Sequence, residues 1–517
     1  MKKFLFPLLA LLLTPVTMQA QDPDVSSGSP IDDEVGKASI IIYDYEESEA
    51  GESPMKLRFE PSYRFRVTFK DKKNNIYSLK RPEEFLSPKA LERRKRLKLK
   101  VDWYDLPVTP AYLSSLQEKG FRVHNVSKWN NTAVVEVADS ARAAELEALA
   151  FVTEVKCVWR SPLEINTGDA DGAYTIAAFH PNDEAILQNA EELRREEVTD
   201  TITDGLTNHY GYAEEQVYML GVPEMHNAGF HGEGMTIAVI DGGFHNVDLL
   251  PCFKNCRILG TRNFVHPGFS VYIEPESHGT MVLSCIAANQ PGALVGTAPE
   301  ASFYLLQSED GNSEQMVEED NWCAAVEYAD SLGVDVISTS LGYYRFDNDM
   351  NSHTYRELDG RTAINSRSAS LAASRGLLVL NSAGNSGDEE WKKIGFPADA
   401  TDILAVGAVR SDSVNTNFSS IGNSADGRIK PDVMAMGRAC ATVGPDGSLY
   451  RVNGTSFSCP ILAGAVTCLW QAYPNLRPTD IIQAVCNAGD RADYPDNIFG
   501  HGIPNMWRAY ELLKDMK

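Results

Sequence analysis

The sequence predicts an α/β protein with a mostly parallel sheet flanked by helices, preceded by a small α+β domain. Two observations predict it. In the second half of the chain, short continuous apolar runs alternate with helix-length segments, the pattern of parallel strands covered on both faces. Between residues 56 and 160 the order reads strand, two helices, two strands, helix, strand. That is the split βαβ (ferredoxin-like) order of a small sandwich. Size and composition agree, since 517 residues, 43% hydrophobic and 23% charged, suit several folded domains of roughly 100–200 residues each. A formal net charge of -24 argues against a nucleic-acid binder, because phosphate recognition needs a basic face.

The elements follow in chain order. Lys2 and Lys3 precede an apolar run at residues 4–13, and Met18-Gln19-Ala20 offers a small residue for cleavage after Ala20. A run of about ten apolar residues suits a signal peptide and is too short to span a bilayer. Residues 1–20 are therefore expected to be a signal peptide. The protein is expected to be exported, to the periplasm or outside the cell, with no membrane span once the signal is removed. Residues 21–55 are polar and acidic and read as a linker.

Residues 56–160 form the expected α+β domain. Residues 63–69 (YRFRVTF) alternate and predict a strand. Ser87-Pro88 opens a basic helix reaching Lys100, and Thr109-Pro110 opens another ending at Gly120. Strands are predicted over 121–129 and 132–137, a helix over 139–150, and a last strand over 153–159. From Lys56 to Lys100 there are sixteen Lys and Arg against five Asp and Glu, a basic segment in an acidic chain. The run LERRKRLKLK at 91–100 has three readings. The favoured one is a solvated helix face. The others are a nucleic-acid patch and a surface that docks on the acidic remainder.

Residues 161–207 carry no strand signal and read as a second linker. The rest, 208–517, is the predicted α/β domain, with strands over 235–240, 302–306, 334–338, 377–381 and 403–409. Nine cysteines in an exported chain permit disulfides. Cys252 and Cys256 are close enough in sequence for a small loop bridge. Cys285, Cys459 and Cys468 lie in apolar runs and read as buried thiols.

Three motifs sit at predicted strand ends or helix starts. Asp241-Gly242-Gly243 follows an apolar strand. His278-Gly279-Thr280 opens an apolar helix, and Gly454-Thr455-Ser456-Phe457-Ser458-Cys459-Pro460 opens another. Singly, each has a bland reading: a turn-capping Asp, a structural His, a helix-capping Ser. Together they give Asp, His and Ser in one of the chain orders of a hydrolytic triad. With these motifs, residues 208–517 resemble the subtilisin-like serine proteases (subtilases). The match departs at Gly242, where the commonest family form has Ser or Thr.

The resemblance implies a catalytic set of Asp241, His278 and Ser456. It implies Asn385, in the segment LNSAGNSG at 380–387, as the oxyanion donor. Ser340, Leu341 and Gly342 are implied to line the substrate cleft, with Ser308 and Asp310 on a second rim and Gly395 in the primary pocket. The basic 56–160 domain is implied to be a propeptide, acting as intramolecular inhibitor and folding aid, with the maturation site in 161–207. Partners are then protein or peptide substrates and this N-terminal domain, not nucleic acid. No cofactor is required for the chemistry. The family often binds structural calcium, but no ligands are readable here and EF-hand spacing is absent. A non-catalytic exported scaffold on the same fold is the alternative function. An esterase lacks support, since no G-x-S-x-G elbow occurs.

Overall fold

A computed structural model of the chain describes residues 62–161, 208–273 and 275–515. The expected signal peptide, the 21–55 linker and the bulk of the 161–207 linker lie outside the described residues.

The N-terminal domain begins with strand β1 (Tyr63–Phe69). Helix α1 (Pro88–Arg96) starts where Ser87 Oγ accepts the Ala90 N–H at 3.1 Å, with a proline in its first turn. A capping hydroxyl followed by a residue with no N–H leaves fewer orphan donors at the start. The helix ends before the expected Lys100, and Lys98 has a positive φ of 57°. Then follow α2 (Pro110–Glu118), β2 (Arg122–Ser127), β3 (Thr132–Val137), α3 (Ala143–Glu147) and β4 (Val152–Arg160). The helix expected over 139–150 is shorter. Asp139 caps a 3-10 turn through the Ala141 N–H at 2.8 Å, and α3 buries only Leu146, too little apolar surface to extend a helix. The sheet has the order β2-β3-β1-β4 and is antiparallel throughout. Phe65, Val67 and Phe69 face a core shared with Leu116, Phe121 and Leu146.

The second domain contains β5 (Thr236–Asp241), β6 (Arg257–Asn263) and α4 (His278–Ala287). After the short hairpin β7 (Asn289–Gln290) and β8 (Leu294–Val295) come β9 (Ser302–Gln307), α5 (Val317–Leu332) and β10 (Val336–Thr339). Then follow α6 (Ile364–Ser374), β11 (Leu378–Ser382), β12 (Leu404–Val409) and β13 (Val433–Met436). The hairpin β14 (Cys440–Val443) and β15 (Leu449–Val452) leads to α7 (Thr455–Ala472), α8 (Pro478–Asn487) and α9 (Met506–Asp515).

Seven strands form one parallel sheet in the order β13-β12-β11-β10-β5-β9-β6. Ile237 and Val239 of β5 face a core built with α4, α7, α8 and α9. Ala238 and Ile240 face the opposite core, with α5 and α6. Burial on both faces is why these strands read as unbroken apolar runs. β6 and β13, the two edges, were not expected. β6 (RILGTRN) exposes Arg257, Leu259, Thr261 and Arg262, and β13 has four residues. The order in which strands are added reverses at β5, with β9 and β6 on one side and β10 to β13 on the other. The crevice beyond the carboxyl ends of β5 and β10 is therefore a topological switch point, where open α/β sheets bind ligands.

The outer face of the N-terminal sheet, with helix α1, covers α5 and α6. The alternation of β1 thus does not mark a solvent face: Arg64 and Arg66 are buried too. Arg66 makes a two-pronged pair with Asp320, both bonds at 2.6 Å. Glu327 of α5 accepts from Ser127 Oγ at 2.5 Å, Lys128 N at 2.6 Å and Trp129 N at 3.1 Å, so one carboxylate caps the β2–β3 turn. Trp129 enters the core beneath α5 and α6. Arg93 and Arg94, 1% and 2% exposed, both pair with Asp330, and Arg94 also with Asp105 at 2.6 Å. This corrects the solvated-face reading of LERRKRLKLK. Its central arginines dock on the acidic domain, while Lys95, Lys98 and Lys100 stay exposed.

Candidate active site

Asp241 ends β5 and is completely buried. Its Oδ1 accepts the Gly242 N–H at 2.8 Å and lies 2.7 Å from His278 Nδ1. Its Oδ2 is buried without a hydrogen-bond partner. His278 is the first residue of α4. The helix approaches β5 so closely that a methyl built on Gly279 would stand 2.4 Å from the Gly243 oxygen and 3.0 Å from Asp241 Cβ, which is why glycine follows the histidine. Burial pushes the imidazole down, but the charge and hydrogen bond of Asp241, then Glu276 and Glu309, push it up, and the net shift is upward. The ring of Phe457 lies against it, centroids 5.8 Å apart.

Ser456 is the second residue of α7 and is 9% exposed. The turn into this helix runs through Gly454 at φ 154° and ψ 150°, a region open almost only to glycine. Pro460 lies inside the helix and has no N–H to give the carbonyl four residues back. That carbonyl belongs to Ser456, and Ser340 Oγ donates to it at 2.8 Å. In return Ser456 Oγ donates to the Ser340 carbonyl at 3.3 Å. It does so rather than bonding His278, a looseness common in unliganded sites.

Asn385 lies in the loop after β11 and is exposed. Its Oδ1 accepts from Thr455 N at 2.9 Å and Thr455 Oγ1 at 3.0 Å. Two donors on that atom fix the amide orientation and leave Nδ2 as the outward donor. Thr455 Oγ1 also accepts the Gly384 N–H at 3.1 Å, so the asparagine loop and the serine helix form one assembly.

Ser340, Leu341 and Gly342 continue β10 toward the same end of the sheet. The Leu341 carbonyl accepts from Asn381 Nδ2 at 3.0 Å. Gly342 faces Gly395 across the paired backbones of Tyr343 and Phe396, whose N–H groups donate both ways at 2.9 Å. The structure thus brings Ser340, Leu341, Gly342 and Gly395 to one place. Ser308 is different. It is fully buried, its N–H donates to the Asp241 carbonyl at 3.0 Å, and its hydroxyl donates to Glu309 at 2.9 Å.

Sequence reasoning missed Glu276, Glu309 and the Ser340 hydroxyl. Only the last left a signal, a proline four residues after the serine. Glu309 accepts the hydroxyls of Tyr343 and Ser308. Burial and the charge of Glu314 push it up to about 8.

Residues 232–502, more than half of the chain, match the model of the subtilase family. The chain belongs to the subtilase family. Residues 64–171 of this subtilase match the peptidase S8 propeptide domain of Bacteroidota, so the β1–β4 sandwich is a propeptide domain, as the resemblance implied. Subtilisin NAT of Bacillus subtilis subsp. natto is 30% identical over 309 residues, 58% of this chain and 72% of its own. Subtilisin of Bacillus pumilus is 30% identical over 299 residues, 57% of this chain and 97% of its own. Among solved structures, MycP1 with its N-terminal propeptide removed aligns over 57% of this subtilase and 96% of its own chain, at 22% identity and a TM-score of 0.46.

Among the described residues of the subtilase, no group of three or more His, Cys, Asp or Glu is gathered to hold a metal ion. No described helix is long and apolar enough to cross a membrane. All nine cysteines are free, and Cys285, Cys459 and Cys468 are buried. The Cys252–Cys256 bridge does not form; both are thiols that burial pushes up to about 12.

Proposed function

We propose that this subtilase is an exported serine endopeptidase made as a self-inhibited zymogen. The observation that carries the reading is the 2.7 Å approach of His278 Nδ1 to buried Asp241 Oδ1, with Ser456 opening a helix at the same end of the sheet. In this reading residues 1–20 direct export, 56–160 inhibit and assist folding, and the maturation bond lies in 161–207.

A serine hydroxyl is a weak nucleophile at neutral pH and needs a base. Ser456 Oγ turns from the Ser340 carbonyl toward His278 Nε2 and gives up its proton as the oxygen attacks the scissile carbonyl. Asp241 holds the imidazole tautomer and stabilises the imidazolium. The tetrahedral oxyanion is held by Asn385 Nδ2 and the Ser456 N–H. That N–H, on the second residue of α7, is one of the four a helix start leaves free, and the helix dipole adds to it. His278 then gives its proton to the leaving amine, and water repeats the cycle on the acyl-enzyme. Substrate adds to Ser340–Leu341–Gly342 as an extra strand, with its primary side chain beside Gly395.

The resting hydrogen bond from Ser456 to Ser340 favours a second reading, a silent scaffold. Mass spectrometry of the full-length chain over time, beside Ser456→Ala, separates the two. Loss of the N-terminal domain in the parent chain alone supports the peptidase. If neither chain is processed and a fluorophosphonate leaves Ser456 unlabelled, the scaffold reading holds.

A further inference from the structure

Glu276 is not part of the triad, yet the fold is shaped around it. Its Oε1 accepts the main-chain N–H of His278 at 3.0 Å. Its side chain lies in a slot walled by glycines. A methyl on Gly242 would come 2.9 Å from its Cγ, and one on Gly311 would come 2.9 Å from its Oε2. A methyl on Gly243 would come 2.6 Å from the Glu276 carbonyl oxygen. Gly242 is the position where the sequence departs from the commonest subtilase motif. A side chain there would displace Glu276.

We propose that Glu276 is a positioning residue for His278, pinning the main chain of the base and adding a second carboxylate beside its imidazole. This rests on the reading of His278 as the general base. The ring is already tied at one end by Asp241; Glu276 ties the backbone that carries it. A base misplaced by about 1 Å can lose on the order of 10²-fold in rate, so a second tether has a direct kinetic consequence.

The charge has its own consequence. The groups facing His278 are Asp241 from β5, Glu309 from the loop after β9, Glu276 from the segment before α4, and the uncharged Phe457 ring from α7. Glu309 is held by two hydroxyls and pushed up to about 8. After Asp241, Glu276 is the carboxylate that raises His278 most, ahead of Glu309. An added anion favours imidazolium over imidazole, so Glu276 moves the acid limb of activity to higher pH.

Two measurements test this. In the full-length Ser456→Ala chain, the imidazole resonances of His278 are assigned by their loss in a further His278→Ala chain and titrated with and without Glu276→Gln. A lower midpoint in the glutamine chain is expected; an unmoved midpoint overturns the electrostatic role. In the processed enzyme, Glu276→Ala is expected to lose about tenfold in plateau kcat with little change in KM. Glu276→Gln, which keeps an acceptor for the His278 N–H, recovers most of that loss while its acid limb moves to lower pH. No recovery by glutamine overturns the tether. A parent chain with no peptidase activity sinks the proposed function, while the His278 midpoint still decides the role of Glu276.

Discussion

Two buried carboxylates, Asp330 at the domain contact and Asp241 in the site, are treated in opposite ways. Asp330 gives Oδ1 to Arg93 at 2.5 Å and Oδ2 to Arg94 at 2.9 Å, with Lys128 at 3.6 Å. Burial pushes its carboxyl up, but Arg94, Lys128 and Arg93 outweigh that and hold it down at about 2. Asp241 has one oxygen on His278 and Gly242, and the other orphaned. A saturated carboxylate holds two surfaces together and responds to little. An under-satisfied one, beside an imidazole, responds strongly to a single proton. Buried polar groups left short of partners in a native fold call for a reason, and the proposed function supplies one for Asp241.

The largest expected effect tests the site half of this contrast. Ser456→Ala should cost about 10⁶-fold in kcat, the scale known for subtilisin, in a peptide-hydrolysis assay. Residual activity near the parent level would remove Ser456 from its assigned role. The contact half is tested by Asp330→Ala in the Ser456→Ala background. That change leaves Arg93 buried without a carboxylate and Arg94 with Asp105 alone, which should cost about 3–5 kcal/mol in denaturant unfolding. A loss below about 1 kcal/mol, the scale of an exposed pair, would mean that Asp330 does not hold the contact together as described.

Asn385→Ala should lower kcat by about 10²–10³ with a smaller change in KM, since the donor acts on charge that appears during the reaction. A pure KM effect would place Asn385 in substrate binding instead.

The mildest test is pH. The carboxyl of Asp330 is lowered from 3.8 to about 2, so its contribution is present above the unfolded value and is lost only as pH falls through the folded one. Amide exchange in α1 and α5 should therefore stay protected from about pH 7 to pH 5. His278 runs the other way. Its pKa is raised, so activity of the processed enzyme should fail on acidification at a pH above the ordinary histidine value, where the contact in the full-length Ser456→Ala chain is still intact. Contact and site losing integrity together would erase the distinction.

How much of this was legible in the sequence follows the same division. The interior strands were readable because both faces of runs such as Ile237 to Ile240 are buried. The edges were not: β6 exposes four of its seven residues, and β13, though buried, is only four residues long. Asp241, His278 and Ser456 were readable because each stands at a strand end or helix start, where a short motif is local. Glu276, Glu309 and the Ser340 hydroxyl act across loops that only the fold brings together. The arginines of α1 read as solvated because their partner, Asp330, lies more than 230 residues away, and no periodicity in either segment reveals the other.

One small detail joins recognition to reaction. Because Pro460 cannot supply an N–H, Ser340 and Ser456 are tied in both directions, hydroxyl to carbonyl each way. The end of β10 and the start of α7 are therefore coupled like two parts sharing one hinge pin. In the proposed function, a peptide laid along Ser340–Leu341–Gly342 is measured from the residue that also braces Ser456. The bond from the Ser340 hydroxyl to the Ser456 carbonyl does not depend on where Ser456 Oγ points, so the spacing of the two main chains is set by the frame of the protein rather than by the path of a loop.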